Sequence, residues 1–388
     1  MIFALISFGV FFFSGALLFL FDTENPSNIF AAISALFYGV SGILLFARRV
    51  EAINYIIASR YPMLICLLAF LSIIWSHDQS LAINRSIALL GTMMFALTMV
   101  IYLDYENIIK AIVYPLFISA LLAVFFALFV PSIGIDDGSN ISSHYGLWQG
   151  TFGFKNRLGR VMGLLAVVIL AQDIFSKRKT NMMLAITILV LLMSGSSTPI
   201  LAVFFVSIAK AYITISHRIS MHLKIAIGIT SIYAMLLIPF ILEIIVVDLM
   251  GKDFSGSGRV EMWTDILFSI DSPYLGYGFG GGFWGEFGYA SGLIESRYIL
   301  LGHAHNGFVD TLIELGVLGV IFYFMLLLKC LIDSLRNYRT QGEYFLLPLF
   351  LSVFFIIYSV TGSAYIKQNN ILFILACLAA FLPYKKVK

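Results

Sequence analysis

Charge is scarce in this chain. Only 12% of its 388 residues are Asp, Glu, Lys or Arg, against about a quarter in soluble domains. The formal net charge is +3, too weak a field to attract nucleic acid. Cysteine is nearly absent. Cys66, Cys330 and Cys377 are odd in number, form no CxxC and sit within or at the end of apolar runs. They predict inert buried thiols, not a disulfide framework or a zinc site. What remains is apolar: 60% of residues are hydrophobic and the mean hydropathy is +0.97. That excludes a disordered chain and an ordinary cytosolic domain.

A bilayer core about 30 Å thick takes roughly 20 apolar residues of helix. Runs near that length recur at 2–21, 28–47, 61–76, 85–103, 108–131, 158–174, 181–194, 199–216, 223–249, 307–332, 344–362 and 370–384. The expectation is an all-α polytopic integral membrane protein of about 12 transmembrane helices, one transmembrane domain over residues 1–388. Strands of a membrane barrel would instead be segments of about ten residues with alternating polarity. The first run has neither a charged n-region nor an A-x-A site, so it reads as a span, not a cleaved signal peptide.

Lys and Arg set the expected orientation. With the N-terminus inside, 16 of the 24 fall on inner segments and 8 outside. Both termini are then cytoplasmic. The outer eight are Arg85, Lys155, Arg157, Arg160, Lys252, Arg259, Arg297 and Lys367. Cations held against the topological bias point to an anionic partner or to headgroups.

Two outer segments carry the polar chemistry. The loop 132–157 ends in Lys155-Asn156-Arg157, with Arg160 just beyond, where the sixth span begins. A helix start offers free N–H groups and a positive dipole end, which suit an anion. Interfacial anchoring with Trp148 is the bland alternative. The loop 250–307, between the ninth and tenth spans, is long enough to contain structure or function of its own. In it, Met262, Trp263, Ile266, Leu267 and Ile270 follow helical spacing. A short helix on the membrane surface is expected, capped by Ser257 or Gly258, with Arg259 in its first turn. Next comes the glycine-rich Leu275–Trp284, which no strand–turn–helix unit frames, so a dinucleotide site is rejected. Its glycines let the backbone turn tightly and pack close to aromatics or a sugar. Last comes Gly302-His303-Ala304-His305-Asn306-Gly307, followed by Asp310 and Glu314 one turn apart on one helical face. The two histidines could share a metal with the carboxylates, form a structural pair, or supply a general base.

His305-Asn306, nine residues, then Gly316-Val317-Leu318-Gly319-Val320 resembles the signature of bacterial O-antigen ligases. Gly258-Arg259 with Trp263, Leu275–Phe279 and Gly153-Phe154-Lys155-Asn156-x-Leu158-Gly159 resemble the same superfamily, which includes O-antigen and exopolysaccharide polymerases. The last two motifs, with Phe283-Trp284 and Ala304-His305-Asn306, look closest to its polymerase branch. The resemblance implies a GT-C-type glycosyltransferase of the bacterial inner membrane, with a large periplasmic loop containing short helices. Such enzymes move a glycan from undecaprenyl diphosphate to an acceptor hydroxyl at the periplasmic face. The acceptor is another lipid-linked glycan in polymerases and the lipid A–core in ligases. The resemblance further implies an inverting enzyme with no metal or cofactor, an essential His at His305, an essential loop Arg at Arg259, and a second diphosphate-binding cation at Lys155 or Arg157. Asn306, His303, Glu314, Asp310 and Arg160 are the supporting residues. Membrane lipids and a chain-length regulator are the expected partners besides the two substrates, and nucleic acid is not one.

This chemistry fits the residues. A lipid diphosphate gains charge as its bond to the sugar breaks, and fixed cations and helix starts can stabilise that charge. Arg holds phosphate bidentately, Lys as a point charge. The acceptor hydroxyl must lose a proton, and His can accept it near neutral pH. A flippase for the same lipid-linked glycan is the rival of another class. Flippases and transporters commonly show internal repeats and midplane sites, whereas here no half repeats the other and the polar residues gather at the outer face.

Overall fold

The protein, seen here as a computed structural model, is described over residues 1–20, 28–139, 144–216, 259–280, 282–284, 289, 303–362 and 366–385. The expected span at 223–249 and much of the long loop, with Ser257, Gly258 and Arg297, lie outside the described residues. Each of the other expected spans is helical in whole or in part. The helices are α1 (Ile2–Phe13), α2 (Asn28–Ala47), α3 (Arg49–Ala58), α4 (Tyr61–Leu71), α5 (Gln79–Tyr102), α6 (Tyr105–Phe129), α7 (Pro131–Gly134), α8 (Lys155–Ala171), α9 (Lys177–Met193), α10 (Ser197–Ser216), α11 (Arg259–Ser269), α12 (Gly307–Gln341), α13 (Leu346–Thr361) and α14 (Ile371–Phe381). Five of them, in α2, α5, α6, α10 and α12, are long and apolar enough to cross a bilayer, or six if α3 and α4 count as one bent span. Over the described residues the chain is all-α, with the long apolar helices of a multi-pass membrane protein.

Helix starts follow from local chemistry. Asp78 accepts a hydrogen bond from Leu81 N at 2.8 Å to open α5, and Asp104 accepts one from Asn107 N at 2.8 Å to open α6, satisfying amides that a helix start leaves free. One helix was not expected from the sequence. α3 occupies what reads as a short basic inner loop, and it lies at 91° to α4 and its following turn. Val50, Ile53 and Ile57 leave it on an exposed apolar face, while Ala52 and Tyr55 are buried. That two-sidedness, with Arg48 and Arg49 at its start, is the signature of a helix lying along an interface.

Two departures from straight helix position the site. α12 is broken at Gly316, whose φ of 64° and ψ of −167° are open to glycine alone. The break frees the carbonyls of Ile313 and Glu314, which accept from Tyr277 N at 2.8 Å and Gly278 N at 3.1 Å. A Cβ on Gly316 would lie 2.2 Å from Tyr274 O, and one on Gly276 would lie 2.6 Å from Gly316 N. The two glycine motifs seen in the sequence are therefore two halves of one backbone-to-backbone contact.

The second departure precedes α14. Asn369, at φ 55°, donates its N–H to Thr92 Oγ1 at 3.0 Å, and the Tyr38 hydroxyl donates to the Asn369 side chain. Thr92 lies thirteen residues into α5, about 20 Å along it. The segment 366–370 thus enters the bundle as irregular backbone, tolerated at such depth where protein surrounds it. Every residue of α14 is buried.

Candidate functional site

The site gathers at the start of α12. Asn306 caps the helix, its Oδ1 accepting from Phe308 N at 2.9 Å and Val309 N at 3.2 Å. Just before it, His305 adopts a φ of 53°, a left-handed conformation uncommon for any residue with a Cβ. Two bonds hold that turn. Ala304 N donates to Asp310 Oδ1 at 2.7 Å, and Trp263 Nε1 of α11 donates to Ala304 O at 2.7 Å. The His303 and His305 rings meet edge to face, 4.2 Å between centroids. Beneath them, Met262, Ile266, Tyr277, Phe283, Ala304 and Ile313 form a small apolar core separate from that of the bundle.

Asp310 and Glu314 point from one face of α12 into a buried polar cluster. Asp310 holds the histidine turn through Ala304, and the Gly280 backbone amide faces the Glu314 carboxyl. One carboxyl oxygen of Asp310 takes the Ala304 amide at 2.7 Å, and the Trp284 side chain also faces this carboxyl. Asp310 acts on the backbone between the rings. The charges of Arg85 from α5 and Lys367 from the re-entering segment both act on Glu314, and Lys367 also acts on Asp310. Arg160 of α8 and Lys367 act on His303. Burial first, then the His305 ring and these two cations, push His303 down to about 3, so its ring is neutral at physiological pH.

Among the described residues, His303 Nδ1 and Arg160 Nε are buried without a hydrogen-bond partner, while the Trp284 side chain faces the Asp310 carboxyl. Native interiors satisfy most such groups, so a cluster of exceptions asks for an explanation. A cavity of about 30 Å³ opens between Arg85, Glu314, Lys367 and Trp284, room for a water or two. A much larger cavity, about 970 Å³, lies at the far end of α5 among Arg48, Tyr102, Tyr105, Tyr344 and Lys385. It touches none of these groups.

The structure brings together His303, His305, Asp310, Glu314 and Arg160. Arg157 lies close enough to Arg160 to feel its charge, and its guanidinium stacks 4.8 Å over Phe154. Lys155 acts instead on His144, which burial first and then this cation hold below its ordinary range. Asn156 accepts from Ser196 Oγ at 3.2 Å, tying the start of α8 to α10. Arg259 opens α11 one turn before Trp263, the residue that grips the histidine turn. Sequence reasoning singled out neither Arg85 nor Lys367 beyond their outer placement. The available signal was that each is a cation on an expected outer segment, held against the topological bias.

Residues 182–324 match the family described as O-antigen ligase. The matched stretch runs from α9 to the first half of α12. It includes Arg259, His303, His305, Asp310, Glu314 and Gly316, and leaves out Arg85, Lys155, Arg157, Arg160 and Lys367. None of the curated proteins compared with the chain matches it. The match over residues 182–324 supports the O-antigen ligase/polymerase superfamily and, through it, a glycosyltransferase-type enzyme.

Proposed function

We propose that the histidine turn of α12 is the catalytic centre of an inverting, metal-independent glycosyltransferase. It transfers a glycan from undecaprenyl diphosphate to an acceptor hydroxyl at the periplasmic face of the bacterial inner membrane, polymerising O-antigen or exopolysaccharide repeat units. The observation that carries the reading is the strained, doubly clamped turn that presents His305 beside half-buried cations. Backbone strain persists only where the surroundings enforce it, and it concentrates at functional sites.

In this reading the acceptor oxygen attacks the anomeric carbon and the bond from that carbon to the diphosphate oxygen breaks. Undecaprenyl diphosphate leaves with the electron pair, and the acceptor proton passes to His305. Arg259, with Lys155 or Arg157, holds the diphosphate, and Arg160 adds positive potential behind it. Stabilising charge where it develops is a major source of rate in such sites. Ligase and polymerase share this centre and differ in the acceptor they admit.

The test is glycan transfer by purified protein with a synthetic undecaprenyl-diphosphate oligosaccharide, offered either a second such molecule or lipid A–core. His305→Ala is expected to lose about 10²–10⁴-fold in rate, with donor binding retained and EDTA without effect. Full activity in His305→Ala refutes the base assignment, and inhibition by EDTA moves the centre to a metal. Movement of the donor across the membrane without product makes the protein a flippase. The orientation is checked with an impermeant thiol reagent, since Cys66, Cys330 and Cys377 are buried. Cysteines placed at Ser257 and Ser291 should label from the periplasm, and cysteines at Ser176 and Thr180 should not.

A further inference from the structure

We propose that Lys367 is a positioning residue of the transfer reaction, the cation that balances the paired carboxylates of α12 and so keeps the histidine turn in its strained conformation. The inference rests on the glycosyltransferase reading given above. It starts from placement. Lys367 sits in the segment 366–370, which Asn369 anchors deep in the bundle on Thr92 and Tyr38. Asn370 then caps α14, its side chain accepting from Leu372 N at 2.9 Å. Both anchors lie within three residues of Lys367, at the junction with α14, which limits how far the ammonium can withdraw toward the membrane surface as long cationic side chains usually do.

A cation at this depth is costly unless it neutralises something. What it faces are Asp310 and Glu314 on α12, with Arg85 of α5, Arg160 of α8 and His303 as its other charged or titratable neighbours. Two buried carboxylates one turn apart cannot both stay ionised without nearby positive charge. Arg85 acts on Glu314, while Lys367 acts on both. Asp310 in turn takes the Ala304 amide at 2.7 Å, the bond that fixes the backbone between the two histidines. A carboxylate is a far stronger acceptor for that amide than a neutral acid. The chain of influence therefore runs from Lys367 to Asp310, to Ala304, to the placement of His305. The cavity between Lys367, Glu314 and Arg85 has room for a water or two to complete the network.

The experiment compares Lys367→Met, Lys367→Arg and the double variant Lys367→Met/Glu314→Gln in the purified transfer assay. Lys367→Met should lower kcat roughly ten- to hundredfold, the worth of one charge-assisted hydrogen bond. KM for the lipid-linked donor should stay unchanged, because Lys367 does not touch it. The loss should shrink as the pH is raised, with the acid limb of kcat moved up by about one pH unit or more. The double variant removes the second negative charge and should recover most of the lost kcat, and Lys367→Arg should keep most of it. Wild-type kcat and pH profile in Lys367→Met would overturn the proposal. So would a loss that is independent of pH and unrelieved by Glu314→Gln, which would make Lys367 a packing residue. If Lys367→Met fails to accumulate in membranes, accumulation of the double variant supports the charge argument and its failure overturns it. The functional reading is judged separately, because His305→Ala can be inactive while Lys367→Met is fully active.

Discussion

Arg48 and Lys385 meet the last turn of α5, where they donate to Ile101 O at 3.5 Å and Val100 O at 2.6 Å. Nearby, Lys329 pairs with Asp333 at 2.8 Å and the Tyr384 hydroxyl donates to the same carboxylate at 2.5 Å. Near the other end of the same helix, Arg85 enters a cluster of two more cations, two carboxylates and two histidines in which, among the described residues, His303 Nδ1 and Arg160 Nε are buried without partners. One end spends its charges on capping a helix and on ordinary i,i+4 pairs. The other holds charge in excess of what its own fold consumes. That surplus distinguishes the candidate site from the larger cavity at the far end.

The largest expected effect breaks the histidine end at its backbone. Gly316→Ala forces a Cβ to within 2.2 Å of Tyr274 O at a positive φ. It should cost more than about 3 kcal/mol and abolish transfer. Gly39→Ala is the control, a helical glycine with nothing within 4 Å of the added carbon. It should stabilise by up to about 1 kcal/mol. Thermal unfolding in detergent, followed by tryptophan fluorescence, measures both.

A smaller effect separates the two regions by pH. His303 is held down to about 3 in the folded protein, against about 6.5 when unfolded. The unfolded state therefore binds the extra proton between these values. Stability from the neutral ring is fully present above about pH 6.5 and is lost as pH falls toward 3. At pH 5 the loss should reach up to about 2 kcal/mol. His303→Asn, which does not titrate, should flatten this acid dependence in the same unfolding assay.

The smallest effect belongs to the far end. Glu51 pairs with Arg48 at 3.5 Å, both side chains close to half exposed. Glu51→Gln should shift stability by less than about 0.5 kcal/mol and leave transfer unchanged. A large effect there would erase the contrast between the two ends.

Legibility in the sequence followed the range of the contacts. Helices that need only an apolar run could be read directly, and so could His303 to Glu314, because turn, cap and carboxylates lie within twelve residues. α3 escaped because ten residues with arginines at the start resemble an inner loop until their two faces are seen. The break at Gly316 escaped because glycine within an apolar run leaves the pattern unaltered, and its reason lies forty residues away at Gly276. Arg85 and Lys367 escaped for the same cause: no spacing rule links α5, α12 and a loop before α14.

α14 carries a consequence for how the protein is made. Each of its residues is enclosed by other helices, and it follows in the chain every helix it packs against. It therefore joins a bundle whose other members have already been synthesised, and the lipid-facing order of insertion cannot place it. The earlier helices must leave a slot along α5 and α13 or part to admit it. Lys367 travels in with it, so the carboxylates of α12, already facing Arg85, gain their second counter-charge only at this step. Assembly of the membrane domain and completion of its electrostatics are then one event.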